Sequence, residues 1–277
     1  MYICSAEKSI YHNYCIKEYK KEIKNLSSKN TRRISKFNAL AILGALKTLH
    51  KKPYDKDLNI YTGSEYGCIE SMNKVLEQVS KKDEILMPFD FLNVNGNNVG
   101  FLIAQFLEST GNNFYITAED FSFEKSFELA YYDILFENVN EALVGAVDES
   151  LEDISQYNSF IHNLNNYPIV DGSIWFHLTK NKKNALAKIE NIHSFTNLES
   201  LKEFISKQNF DSISLNQFAR QKLLITKDLQ EKIIPHSQTF FGTQSAEDFY
   251  NLLTYNGKLL MITLDTKSRS FVIELSR

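Results

Sequence analysis

The stretch FYITAEDFSFEKSFELAYYDILFENVNEALVGAVDE, Phe114–Glu149, decides the fold. It opens inside Asn113–Ala118, a short apolar run with the composition of a strand. Phe121–Phe136 then has the spacing of a buried helix, and Glu141–Val147 is a second, continuous apolar run. A strand covered on both faces reads this way, without polar alternation. Strand, helix and strand in this order predict parallel pairing with a right-handed crossover, and hence an α/β fold. Between the first strand and the helix stand Glu119 and Asp120. Asp120, followed by Ser122 and Glu124 in the first turn, has the chemistry of a helix N-cap.

Working outward, Ile34–Leu49 predicts a well-buried helix, and Lys17–Leu26 a solvated loop or short helix. Leu58–Tyr61 predicts a strand, turned by Thr62-Gly63-Ser64 into a helix from about Gly67 to Ser80. Asn93–Phe106 reads as a polar loop entering a helix. Beyond Asp148 the pattern predicts strands at Ser173–Leu178, Ala185–Ile192 and Phe210–Leu215, and helices at Leu198–Lys207 and Asp248–Tyr255. Leu259–Asp265 and Phe271–Leu275 predict a terminal hairpin.

The 277 residues are enough for a large core, as one domain or two halves. A net charge of −3 gives no electrostatic reason to expect nucleic acid or an anionic membrane as partner. Cys4, Cys15 and Cys68 have no metal-ligand spacing and suggest a reduced compartment. With no apolar leader and no long apolar run, a cytoplasmic location is expected. The segment GSEYG, Gly63–Gly67, is not a nucleophile elbow, because its serine is not midway between the glycines. Both glycines are expected in a tight turn. No phosphate-binding glycine pattern is present, so no cofactor is expected. The histidines His12, His50, His162, His177, His193 and His236 show no metal spacing, and no metal site is expected. His177 is expected to be a satisfied or exposed strand residue, His236 to be the histidine able to approach Asp120, and Cys68 to be a small buried apolar residue.

Several segments, in order, resemble the β-ketoacyl synthases. RRISKFNALAILGALKTL, Arg32–Leu49, resembles an arginine-led helix near their N-terminus, and NIYTGSEYGCIE, Asn59–Glu70, the strand and glycine turn that follow. PFDFLNVNGNNVGFLIAQFLESTG, Pro88–Gly111, is similar to the stretch leading into their nucleophile strand. Phe114–Glu149 resembles the nucleophile region itself, and DGSIWFHL, Asp171–Leu178, a later Gly-Glu-Gly-Ala strand. In that family a cysteine lies twenty-five residues before the first glycine of the second strand's turn. Counting back from Gly145 gives Asp120. The family's two histidine positions match Asn216, in DSISLN, and Thr243, in TFFGTQSA.

The resemblance implies a thiolase-like layered fold (α-β-α-β-α) of two related halves, 1–147 and 148–277, the second shortened. It implies that the catalytic cysteine and histidines are replaced by Asp120, Asn216 and Thr243. A carboxylate cannot stand in for the thiolate that carries an acyl chain through thioester exchange. The chain is most similar to non-catalytic, chain-length-factor-type partners of type II polyketide, aryl-polyene or flexirubin ketosynthases. The implied partners are an active β-ketoacyl synthase in a heterodimer, or a second copy in a homodimer, with an acyl carrier protein reached through the complex. Phe114, Tyr115, Ile116 and Thr117 are then the expected interface strand. Phe121, Phe123 and Phe127 either wall an acyl tunnel or fill the space that a substrate once occupied. Two alternatives stay open: a thioester hydrolase or decarboxylase using Asp120 or Glu119 with His236, and a homodimeric structural protein.

Overall fold

A computed structural model of the chain describes residues 1–81, 85–151, 161–224 and 226–277. Its strands are β1 (Tyr2–Tyr11), β2 (Asn59–Gly63), β3 (Asn113–Ile116), β4 (Glu141–Asp148), β5 (Asp171–Thr179), β6 (Ala187–Phe195), β7 (Ser212–Leu215), β8 (Lys258–Leu264) and β9 (Ser270–Ser276). The longer helices are α1 (Ile16–Leu26), α2 (Lys36–Leu49), α3 (Ile69–Lys81), α5 (Asn98–Leu107), α6 (Ser122–Phe136), α7 (Leu198–Lys207) and α10 (Ser245–Leu252). The short helices α4 (Pro88–Asn93), α8 (Gln217–Lys222) and α9 (Lys227–Lys232) complete the set among the described residues.

The strands are hydrogen-bonded in the order β3-β2-β4-β5-β1-β6-β9-β8-β7. β2 pairs in parallel with β3 and β4, as the strand–helix–strand reading requires. The link between β1 and β6 is only two residue pairs long, Tyr2–Lys188 and Ile3–Ala187. The sheet is therefore two parts that touch at a corner: β3-β2-β4-β5-β1 and β6-β9-β8-β7.

Alternation along the strands builds the layers. Leu143, Val147 and Trp175 face an outer core with α1, α2 and α5, while Ala142, Val144, Ala146 and Phe176 face inward. In the second part Leu260, Ile262 and Val272 face a second outer core with α7 and α8, while Leu259, Met261, Phe271 and Ile273 face inward. Between the two sheet parts lie α6 and α10, whose Phe123, Phe127 and Phe249 belong to the same central core. Outer helices, sheet, central helices, sheet and outer helices make five layers, the expected thiolase-like arrangement.

The halves share one plan. β1-α2-β2, then α6-β4-β5, corresponds to β6-α7-β7, then α10-β8-β9. The parallel and antiparallel pairings match strand for strand, except that no described strand of the second half corresponds to β3. β5 follows residue 147 in the chain yet pairs with β4 and β1, so the sheet divides between β5 and β6 rather than at 147/148.

Two segments correct the sequence reading. Tyr2–Tyr11, not anticipated as a strand, is β1 and pairs along its length with β5. Lys17–Leu26 takes the helix alternative, within α1, but is not fully solvated, because α1 buries Tyr19 and Ile23, one turn apart. Lys36, at the start of α2, forms a buried ion pair with Asp171 of β5 at 3.0 Å, and the Tyr19 hydroxyl donates to the same carboxylate at 2.7 Å. Among the described residues no helix is long and apolar enough to cross a membrane.

Candidate functional site

Parallel strands bring their carboxyl ends to one side of a sheet, and the loops leaving those ends are where such folds build sites. Here Glu65 follows β2, Asp120 follows β3 and Asp148 closes β4. From the second half Asn216 follows β7, and the Gly242–Gln244 loop leads into α10. Glu65, Asp120, His162, Asn216, Gly242, Gln244 and Asp248 line one cavity of about 30 Å³. That is room for about one water molecule.

Asp148 organises the floor. It is fully buried and accepts hydrogen bonds from the Ser64 hydroxyl at 2.7 Å and the Tyr66 amide at 2.9 Å. It also accepts from the Glu65 amide at 3.1 Å and the Thr243 amide at 2.8 Å. Burial raises its carboxyl above the ordinary range, and the donors around it pull the other way. Glu65, beside it, is pushed well above the usual carboxylate range, first by burial and then by the Asp148 charge. Glu124 of α6 is completely buried and donor-bonded by the Thr263 hydroxyl of β8 at 2.6 Å; burial pushes its carboxyl up to about 7.

Asp120 does not cap α6. The helix starts at Ser122, and the Ser122 hydroxyl accepts from the Ala118 amide at 2.9 Å and donates to the Glu119 carbonyl at 2.7 Å. The Asp120 carboxylate instead meets His162 Nδ1 at 3.2 Å and accepts from the Thr266 amide at 3.3 Å. Glu119 carries the unusual backbone, with φ of 53°, so the strand-to-helix junction turns through a left-handed residue that is not glycine. Its side chain is exposed and faces Lys267 and Arg269.

His236 is not the partner of Asp120. It is buried and its Nδ1 lies 2.8 Å from Asp248. His162 takes the place expected of it, in a loop fastened by Gln217, which donates to the His162 carbonyl and accepts from the Leu164 amide at 3.1 Å.

Asn216 lines the cavity, but its amide is committed to structure. It accepts from the Ala219 and Leu264 amides and donates to the Leu264 carbonyl, capping α8. Thr243 is buried behind the lining residues Gly242 and Gln244. Phe123 and Phe127 are fully buried, with ring centroids 5.7 Å from each other and 5.8 and 5.2 Å from Phe249. Phe121 packs on Phe271. Cys68 is buried, and its thiol is pushed up to about 11 by burial, which leaves almost no thiolate at neutral pH. His177 is a buried β5 residue satisfied by Glu141 at 3.1 Å. Gly67 does turn, at φ 66°, whereas Gly63 allows a close approach: a Cβ there would lie 2.5 Å from the Ser122 carbonyl oxygen.

The chain superposes with a TM-score of 0.71 on the ishigamide ketosynthase/chain length factor, at 11% identity over 91% of this chain and 84% of that one. The chain has the β-ketoacyl synthase fold. The same ketosynthase fold recurs in a type II polyketide synthase acyl-carrier protein complex with its ketosynthase, AntDE:AntF, at TM-score 0.70 and 12% identity over 99% and 98% of the two chains. It recurs again in the ketosynthase ApeO in complex with its chain length factor ApeC from Xenorhabdus doucetiae, at TM-score 0.59 and 13% identity over the full length of both. No protein-family model and no curated protein matches the sequence.

Sequence reasoning missed Glu65, Asp148 and His162. Asp148 and Glu149 did carry a signal: two carboxylates directly after a continuous apolar strand are placed where burial is hard to avoid. His162 carried none, since its role depends on a loop meeting a strand end 42 residues away in sequence.

Proposed function

We propose that this chain is a non-catalytic, ketosynthase-fold subunit that pairs with an active β-ketoacyl synthase in polyketide-like or fatty-acid-like chain assembly. The observation that carries the reading is the junction after β3. A carboxylate stands there, held by His162 and the Thr266 amide above a cavity of about 30 Å³. At that junction no thiolate is available to receive an acyl chain. The packed rings of Phe123, Phe127 and Phe249 favour the space-filling role over a tunnel wall.

The free edge of β3 supports a partner. Asn112 and Ile116 turn their carbonyls toward β2, so strand alternation turns the backbone groups of Asn113 and Tyr115 outward. Beside β3, α5 and α6 expose Phe101, Leu129, Tyr132, Leu135 and Phe136. An unpaired edge flanked by apolar side chains is an aggregation hazard unless another chain covers it. The ishigamide and ApeO–ApeC assemblies are named as ketosynthase and chain-length-factor complexes, which makes an active ketosynthase the favoured mate.

The test is co-expression with a candidate ketosynthase, sizing by light scattering, and intact-protein mass analysis after exposure to acyl carrier thioesters. A heterodimer with acyl groups on the partner alone is expected. An acyl adduct on this chain, or turnover without a partner, would favour the degenerate-enzyme alternative. A homodimer indifferent to ketosynthases would favour the structural one.

A further inference from the structure

We propose that Glu65, Asp120 and His162 form a site for one divalent transition-metal ion of the zinc class. The inference is independent of any ketosynthase partner. Each residue offers one ligand atom, and these atoms all lie within 4.8 Å of one another. Donors about 2.0–2.1 Å from a tetrahedral zinc stand about 3.3 Å apart. The 3.2 Å between Asp120 Oδ1 and His162 Nδ1 already has that spacing. All three residues line the same cavity of about 30 Å³.

The three ligands come from separate elements, and each is anchored. The Glu65 amide is bound to Asp148, Asp120 accepts from the Thr266 amide, and the His162 loop is pinned by Gln217. Anchoring of this kind fixes donor orientation before an ion arrives. Among the described residues no lysine or arginine forms an ion pair with Glu65, Asp120, Asp148 or Glu124. A dication would attract both carboxylates and take the place of the hydrogen bond between Asp120 and His162. One imidazole and two carboxylates suit zinc and its neighbours better than calcium or magnesium, which favour all-oxygen shells. Three protein donors leave a fourth position for water, and the cavity accommodates little more.

The experiment uses the full chain, stripped with chelator and titrated with Co²⁺ at about pH 7.5, where the ligands can deprotonate. Equilibrium dialysis gives stoichiometry, and visible absorption reports low coordination number. One Co²⁺ per chain is expected, displaced by Zn²⁺, with a higher melting temperature for the loaded protein. His162→Gln and Glu65→Gln should each weaken binding at least roughly tenfold, since losing even an outer partner of a ligand costs 10–100-fold. His162 is about half exposed, so its variant should fold; metal-free melting of both variants checks this. No stoichiometric binding up to about 1 mM, weaker than any specific site worth the name, would overturn the assignment. So would binding that survives unchanged in either folded variant, which would place the ion on another surface histidine.

Discussion

The carboxylate of Asp148 accepts the amide of Thr243 at 2.8 Å, joining the end of β4 to the loop that starts α10. The two residues are 95 positions apart and belong to different halves. The other oxygen of Asp148 holds the turn after β2 through Ser64 and Tyr66. One buried side chain at the end of β4 thus ties together two loops that border the cavity.

Asp148→Ala should therefore be among the most destabilising single changes in the chain. It orphans several buried donors at once, each costing about 1–3 kcal/mol. A loss on the order of 3 kcal/mol or more is expected by urea denaturation, with Asp148→Asn losing less than alanine. A loss below about 1 kcal/mol would mean that water replaces the carboxylate and that the loops are held elsewhere.

Stability should fall as pH rises from 5 to 8. The Glu124 carboxyl moves from an ordinary value of 4.5 to about 7 in the folded chain. A carboxyl raised in this way stabilises the fold fully below its unfolded value, and the contribution is lost as pH climbs through the folded value. The shift corresponds to roughly 3 kcal/mol from this one group. Glu65, Glu149 and Asp148, all raised by burial, act in the same sense. His177, whose folded value is lowered by burial, opposes them only below its ordinary value of 6.5. Denaturation of wild type and Glu124→Gln at pH 5, 6.5 and 8 separates the contributions: the variant should show a clearly shallower decline. Equal slopes would remove Glu124 from the account.

The parallel core was legible because Phe114–Glu149 has unmixed signals: an apolar strand, a helix-spaced segment and a second apolar strand. The terminal hairpin was legible for the same reason. Tyr2–Tyr11 was not, because YICSAEKSIY interleaves polar residues and takes its strand identity from pairing with β5. Asp120 looked like a cap by local propensity, yet Ser122 holds the junction and frees the carboxylate for His162. Positions 120, 216 and 243 came from the family resemblance rather than from periodicity; Asp120 and Asn216 line the cavity, and Thr243 lies behind it. Which side chains actually touch there depended on loop packing, and no periodicity encodes that.

Phe123→Ala distinguishes a filled core from an acyl tunnel. Phe123 is fully buried against Phe127, Phe176 and Phe249, so truncation should cost about 3–5 kcal/mol. In a complex with a ketosynthase, product length should stay unchanged while thermal stability drops. A shift to longer products with stability preserved would show that these rings limit a growing chain.

The edge of β3 gives the most direct test of partnership. The amide of Tyr115 points away from β2, because the neighbouring carbonyls of Asn112 and Ile116 are the ones that accept from β2. Tyr115→Pro removes that outward donor while leaving the β2–β3 ladder its own bonds. The substitution also deletes the tyrosine ring, which packs closely over Gly96, so Tyr115→Ala is the necessary comparison. If a second chain continues the sheet at this edge, the proline variant should lose association with the ketosynthase or with its own copy, while the alanine variant loses stability but keeps the association. Sizing by light scattering and amide exchange at residues 113–117 read the two effects separately. Equal association by both variants, or rapid exchange along β3 in the assembled wild type, would mean that the partner binds elsewhere on the surface.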